Sequence, residues 1–170
     1  VMWLLPHFVG LEFVAPGLML NQSRPAVDVF KRQSNPVFDA RLHSGRMRFG
    51  RTLLVDKRQG VRPVMRAIQA GAGFVNAPDM DFGRKDSGFV PFFGVPAATL
   101  LAPSRMAKLL GMVVQPVLAE MLPGGQGYRV RFLPPLVLHG AHRVSDAAFA
   151  AHAQLFAHRL RDWPRWPELD

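Results

Sequence analysis

The sequence predicts an α/β fold: a mostly parallel central sheet flanked by helices. Two observations predict it. Short apolar runs of strand length recur at 1–5, 53–57, 74–78 and 112–118, each too short for a helix and apolar enough to be buried on both faces. Helical patterns separate several of them, and strands alternating with helices are the mark of layered α/β architecture. The length of 170 residues and a hydrophobic share of 49% support one domain with a real core.

The elements follow in order. VMWLL (1–5) reads as a buried strand ended by Pro6, and 9–20 as a helix. AVDVFKRQ (26–33) alternates enough to be a strand, and Asn35-Pro36 marks a turn. VFDARLHSGRMRFGR then carries Arg41, Arg46, Arg48 and Arg51 around Gly45 and Gly50. A short strand is expected at 53–57. In 61–73, Val61, Val64, Met65 and Ile68 share a helix face, Pro63 stands near its start, and Gly71 and Gly73 end it. FVNAP (74–78) is a short buried strand, and DMDFGRKDSGFVPFFG is the loop after it. Residues 97–110 read as a helix despite Pro103, and 112–118 as a strand. PGGQG (123–127) turns into the strand YRVRFLPP, and 145–160 is a helix capped by Ser145.

Residues 1–20, VMWLLPHFVGLEFVAPGLML, are long enough to cross a bilayer. Glu12 near its centre would cost about 2.5–3.5 kcal/mol on insertion scales, and Pro6, Pro16, Gly10 and Gly17 all weaken a continuous helix. Strand, turn and helix is the better parse. The abrupt start at Val1 leads us to expect a piece of a longer protein.

Lys plus Arg outnumber Asp plus Glu by 21 to 12, a net charge of +9. Such an excess favours acidic partners: nucleic acid, anionic lipid, phosphorylated substrates or an acidic protein. The chain has no Cys, which excludes disulfides, thiolate metal sites and a Cys nucleophile.

His7 and Glu12 are the only side chains in residues 1–20 that titrate. On a regular helix, five residues would leave them about 140° apart. With His7 on the strand-to-helix turn, its ring can fold back so that Glu12 accepts from one nitrogen and the other serves as a base. Turns of this kind lie at the carboxyl ends of parallel strands, where open α/β sheets place their sites. The alternative is a satisfied core His beside a partly exposed Glu. Asp79 and Asp81 follow a buried strand in the same way and can be read as a divalent-cation motif for a glycosyltransferase, or as solvated loop carboxylates. Phe89, Phe92 and Phe93 are too apolar for an exposed loop and suit either an acyl-chain cavity or ordinary packing.

Histidine, four residues, then an acidic residue, set after a buried strand, resembles the glycerolipid-type acyltransferases. HFVGLE, SGRMRFG, VVQPV and above all NAPDMDFGRKDSGFVPFFGVPAAT resemble one branch of them, the bacterial lipid A late acyltransferases. The likeness covers roughly 2–140, in the family's order. It implies a glycerolipid-acyltransferase-like layered fold, with 1–170 a single acyltransferase domain lacking the family's amino-terminal membrane anchor and its aromatic, basic closing segment. It further implies transfer of a lauroyl or myristoyl chain from acyl carrier protein to a hydroxyl of a Kdo-lipid A precursor, with no cofactor and no metal, at the cytoplasmic face of the bacterial inner membrane. His7 and Glu12 match the catalytic pair; Arg46 matches the basic position that would hold an acceptor phosphate, and Asp79 the acidic one that organises the site. In KRQSNP the family's usual Arg-Pro is replaced by Arg32-Gln33, so no role is assigned there. The other histidines, His43, His139, His142, His152 and His158, are expected on the surface or in packing. The expected partners are acyl carrier protein, the lipid A precursor and the membrane surface, all acidic; no nucleic acid is expected, because the basic stretches lack interleaved aromatics. The metal-dependent glycosyltransferase using Asp79-x-Asp81 stands as the alternative, and a non-catalytic membrane-binding domain as a further one.

Overall fold

The computed structural model describes residues 1–7, 10–79, 87–92 (main chain only at 90–92) and 95–136. Four parallel strands form the heart of the sheet: β1 (Met2–Leu4), β2 (Ala26–Phe30), β3 (Thr52–Asp56) and β4 (Gly73–Asn76). β5 (Ser87–Phe92) and β6 (Val95–Leu100) form a separate antiparallel pair. β7 (Val114–Met121) joins the main sheet parallel to β1, and β8 (Tyr128–Phe132) closes it antiparallel to β7. The six-stranded order is β3-β2-β4-β1-β7-β8. The helices are α1 (Leu11–Asn21), α2 (Pro36–Met47), α3 (Arg62–Gln69) and α4 (Ala102–Leu109). The expected α/β class and mostly parallel sheet are what the structure has.

Alternation along β1 splits the core in two. Met2 packs with Val27, Val55, Val64, Phe74, Ala107 and Val114 on the side of α3 and α4. Trp3 and Leu5 point the other way, onto Val14 and Leu18 of α1. These two α1 residues lie four apart, so they form one stripe on the sheet side. The two faces thus bury apolar residues on both sides of the central strands, as a parallel sheet requires.

Gly73 opens β4 directly beneath the indole of Trp3, where an added Cβ would overlap Cζ3. Trp3 is 2% exposed and has no room to retreat. Gly73→Ala should therefore destabilise the chain by about 1–3 kcal/mol or more, as overpacked cores do. Urea unfolding checks this, and an unchanged midpoint would show that the Trp3 pocket yields.

Three elements differ from the sequence reading. Asn35-Pro36 begins α2 instead of a turn: the Asn35 side chain accepts from the amides of Val37 and Phe38 at 3.0 and 3.1 Å, and Pro36 takes the first helical position. Within 97–110, residues up to Leu100 pair with β5, and only Ala102–Leu109 is helical, with Pro103 in the first turn. The segment read as loop 79–94 contains β5. The expected helix 145–160, with His139, His142, His152 and His158, lies outside the described residues. Among the described residues, no helix is long and apolar enough to cross a membrane.

Candidate active site

Parallel register brings the site together. Leu4 of β1 sits opposite Asn76 of β4, and the Leu5 amide donates to the Asn76 carbonyl at 2.9 Å. His7 and Asp79 each stand three residues beyond that rung. Two chains leaving one sheet edge in step therefore deliver both side chains to the same place, the carboxyl end of the central strands. Asp79 holds His7 twice. Its Oδ1 lies 2.7 Å from His7 Nδ1, and its Oδ2 accepts the His7 main-chain N–H at 2.7 Å. A carboxylate only accepts, so in the neutral imidazole this contact favours the tautomer with the hydrogen on Nδ1 and the lone pair on Nε2. Both side chains are 40% exposed, so a substrate can reach them.

Glu12 is not the partner of His7, contrary to the sequence reading. It stands on the first turn of α1, and its carboxylate takes Arg46, from the last turn of α2, in a two-pronged pair: Nε–Oε2 3.1 Å and Nη2–Oε1 2.5 Å. The physical reason is geometric. Gly10, at φ 98°, turns the chain sharply before α1, with Tyr128 packed where a Cβ would sit. Asp79, arriving from the neighbouring strand, meets the imidazole instead. The planar guanidinium fork matches a carboxylate better than an ammonium would, and donating to Glu12 pushes the Arg46 pKa above its ordinary value. All four residues expected to carry the site are described, and they form two pairs: His7–Asp79 and Glu12–Arg46.

One residue was missed. Asp28 lies on β2 between Leu54 and Val75 of the flanking strands. It lines a small, partly open cleft together with Arg46, Thr52, Ala15, Met19, Ala26, Leu54 and Val75. Burial pushes its pKa from 3.8 up to about 6, against the pull of Arg46. A raised carboxyl pKa means that the folded chain binds the proton more tightly than the unfolded chain. Asp28's contribution to stability is then most favourable below pH 4 and is lost as pH rises from about 4 to 6. Asp28→Asn is expected to raise the unfolding free energy at pH 8 by about 1–3 kcal/mol and to change it little at pH 3.5. Urea titrations at the two pH values check this; an equal effect at both would show that charge burial is not the cause. The signal in the sequence was a lone Asp inside the apolar run AVDVF.

Other expectations resolve simply. His43 stacks edge-on to Phe30 at 5.9 Å between ring centroids, a packing role. Arg32 lies 3.3 Å from Asp56, beside Arg58, which holds the Asp56 carboxyl well below the usual carboxylate range. Phe89 is exposed; Asp81, Phe93 and the side chain of Phe92 lie outside what is described. Among the described residues, no group of three or more His, Asp or Glu could hold a metal ion.

A family model described as bacterial lipid A biosynthesis acyltransferase matches residues 1–164. The chain is 32% identical over 130 residues to the lipid A biosynthesis lauroyltransferase of Escherichia coli K12, which is 76% of this chain and 41% of that protein. It is 34% identical over 117 residues to the lipid A biosynthesis myristoyltransferase of the same organism, 69% of this chain and 36% of that protein. A lipid A biosynthesis acyltransferase of Haemophilus influenzae is 33% identical over 157 residues, 92% of this chain and 48% of that protein. The chain thus spans less than half the length of these relatives. It belongs to the bacterial lipid A biosynthesis acyltransferase family.

Proposed function

We propose that this chain forms the catalytic core of an acyltransferase that moves a fatty acyl chain from acyl carrier protein to a hydroxyl of a Kdo-lipid A precursor. The observation that carries the reading is the His7–Asp79 clamp at the centre of the sheet, with Nε2 free of the carboxylate. Nε2 takes the proton of the acceptor hydroxyl. The alkoxide oxygen forms a bond to the thioester carbonyl carbon. The C–S bond breaks, and the imidazolium returns the proton to the leaving thiolate. No acyl-enzyme forms in this scheme, so none of these steps calls on a Cys.

Asp79 orients the imidazole and stabilises its charged form. Glu12 occupies the Nε/Nη2 edge of Arg46 and sets its direction. Nη1 and the outer side of Nη2 then remain for an acceptor phosphate, where charge-assisted bonds are strongest. The basic excess of +9 suits an acidic carrier protein, a phosphorylated acceptor and an anionic membrane surface. We place the reaction at the cytoplasmic face of the inner membrane.

The test is acyl transfer from a lauroyl or myristoyl carrier-protein thioester to the precursor, using the full-length gene product with and without a chelator. Transfer that survives the chelator supports the proposal. Transfer of sugar from a nucleotide donor, abolished by the chelator, would instead favour the glycosyltransferase reading of Asp79-x-Asp81.

A further inference from the structure

The sheet edge that leads to His7 also carries a concentration of positive charge on its outer strands. Phe30 of β2 pairs with Asp56 of β3 on the last rung of their ladder. Beyond it both chains continue with the same two residues, Lys31-Arg32 and Lys57-Arg58. Parallel register thus sets four exposed cations side by side. Asp56, 8% exposed, fastens the arginines of both strands: its Oδ2 lies 3.3 Å from Arg32 Nε and 2.6 Å from Arg58 Nη2. Their side chains still stay 63% and 69% exposed. Among the described residues, Lys31 and Lys57 make no ion pair, and Asp39 already accepts the Gln33 amide at 2.8 Å. One buried carboxylate does not neutralise four cations, so the tips of β2 and β3 form a fixed basic surface.

We propose that this surface docks the acidic carrier protein that brings the acyl thioester. The inference rests on the proposed transfer from acyl carrier protein and adds where that protein binds. Distance favours this occupant. A carrier presents its thioester at the end of a long, flexible prosthetic arm, so its folded body binds at arm's length from the base and not on it. The strand order is β3-β2-β4-β1, and neighbouring strands stand about 4.8 Å apart. The β2 and β3 tips therefore lie roughly 10 and 14 Å along the edge from the tip of β1 that leads to His7. Charge favours the same occupant: guanidinium groups held in place by Asp56, with lysines beside them, complement a face rich in Asp and Glu and steer its approach. Arg46 stands apart from this group, on α2 and paired with Glu12, so donor and acceptor anions meet different cations.

The test compares two donors on the full-length gene product: a lauroyl thioester of acyl carrier protein, and the same chain on free pantetheine, which keeps the thiol of the arm and lacks the protein. The double variant Lys31→Glu, Lys57→Glu should raise KM for the carrier-bound donor at least about tenfold, with kcat changed less than about threefold. KM for the pantetheine thioester and KM for the acceptor should each change less than about twofold. In wild type, KM for the carrier-bound donor should rise from about 50 to about 300 mM salt, and it should rise less in the variant. Equal losses on both donors would mark a merely structural role, and an unchanged KM for the carrier-bound donor would leave the surface without this partner; either result overturns the proposal. A rise confined to acceptor KM would assign the surface to the phosphorylated lipid and its membrane, and overturns it too. Lys31→Gln with Lys57→Gln is the milder pair, for the case that the charge-reversed chain folds poorly: it should shift the same KM in the same direction by a smaller factor. Fluorescence anisotropy of labelled acyl carrier protein needs no reaction. Its Kd should rise in the lysine variants, and an unaltered Kd overturns the docking surface. If wild type transfers no acyl chain from either donor, the proposed reaction fails while the anisotropy still decides where the carrier binds.

Discussion

Replacing His7 by alanine is expected to lower acyl transfer by about 10²–10⁴-fold, the usual worth of a positioned general base. Binding of the acceptor should be nearly unchanged, because the proposed phosphate contact belongs to Arg46. The decisive measurement is kcat against acceptor KM in the full-length gene product: retained kcat would reject the mechanism. Asp79→Asn sharpens the test. Asparagine keeps an acceptor oxygen for the His7 amide, but its NH2 can face Nδ1 and drive the hydrogen to Nε2, the wrong tautomer for a base. Activity should fall nearly as far as in His7→Ala, with folding stability close to wild type because the pair is 40% exposed. Glu12→Gln should behave differently. It weakens the hold on Arg46 and leaves the His7–Asp79 hydrogen bonds in place, so its loss should appear more in acceptor KM than in kcat. A Glu12→Gln variant as inactive as Asp79→Asn would return Glu12 to the role of histidine partner.

Much of this arrangement was legible in the chain, for physical reasons that differ from residue to residue. His7 and Asp79 each follow a short apolar strand, and parallel strands deliver the residues after them to a common edge. What the local sequence does not encode is which strands are neighbours. Paired residues of β1 and β4, such as Leu4 and Asn76, lie 72 positions apart in the chain, and that adjacency decides that Asp79 rather than Glu12 meets the imidazole. The error over Glu12 is thus one of tertiary placement. The error over α2 is one of weighing: Asn-Pro is as good a helix start as a turn, and α2 has no buried residue to give it an apolar stripe. At 95–100, pairing with β5 wins over the helix-forming tendency of the two alanines. Asp28 was passed over because an alternating strand tolerates a polar residue on a solvent face; only the packing of α1 and α2 makes that face a cleft.

Reversing the second pair gives the other large effect. Glu12→Arg alone sets two guanidinium groups against each other, and Arg46→Glu alone adds a second carboxylate beside Asp28 in the cleft. Each single variant should lose activity by at least about 100-fold and some stability, since like charges at contact distance repel and one is half-buried. The double variant restores an ion pair between the same two helices. Its stability should return to within about 1 kcal/mol of wild type, because an exposed pair is worth little more than that. Activity should not return. The guanidinium would now spring from the first turn of α1, and the carboxylate would face the incoming phosphate. Urea unfolding and acyl transfer, measured on the same four proteins, separate the two roles. Recovery of both in the double variant would mean that Glu12 and Arg46 are a strap between α1 and α2 and nothing more; recovery of stability alone requires the positive charge to sit where α2 places it, as phosphate recognition demands.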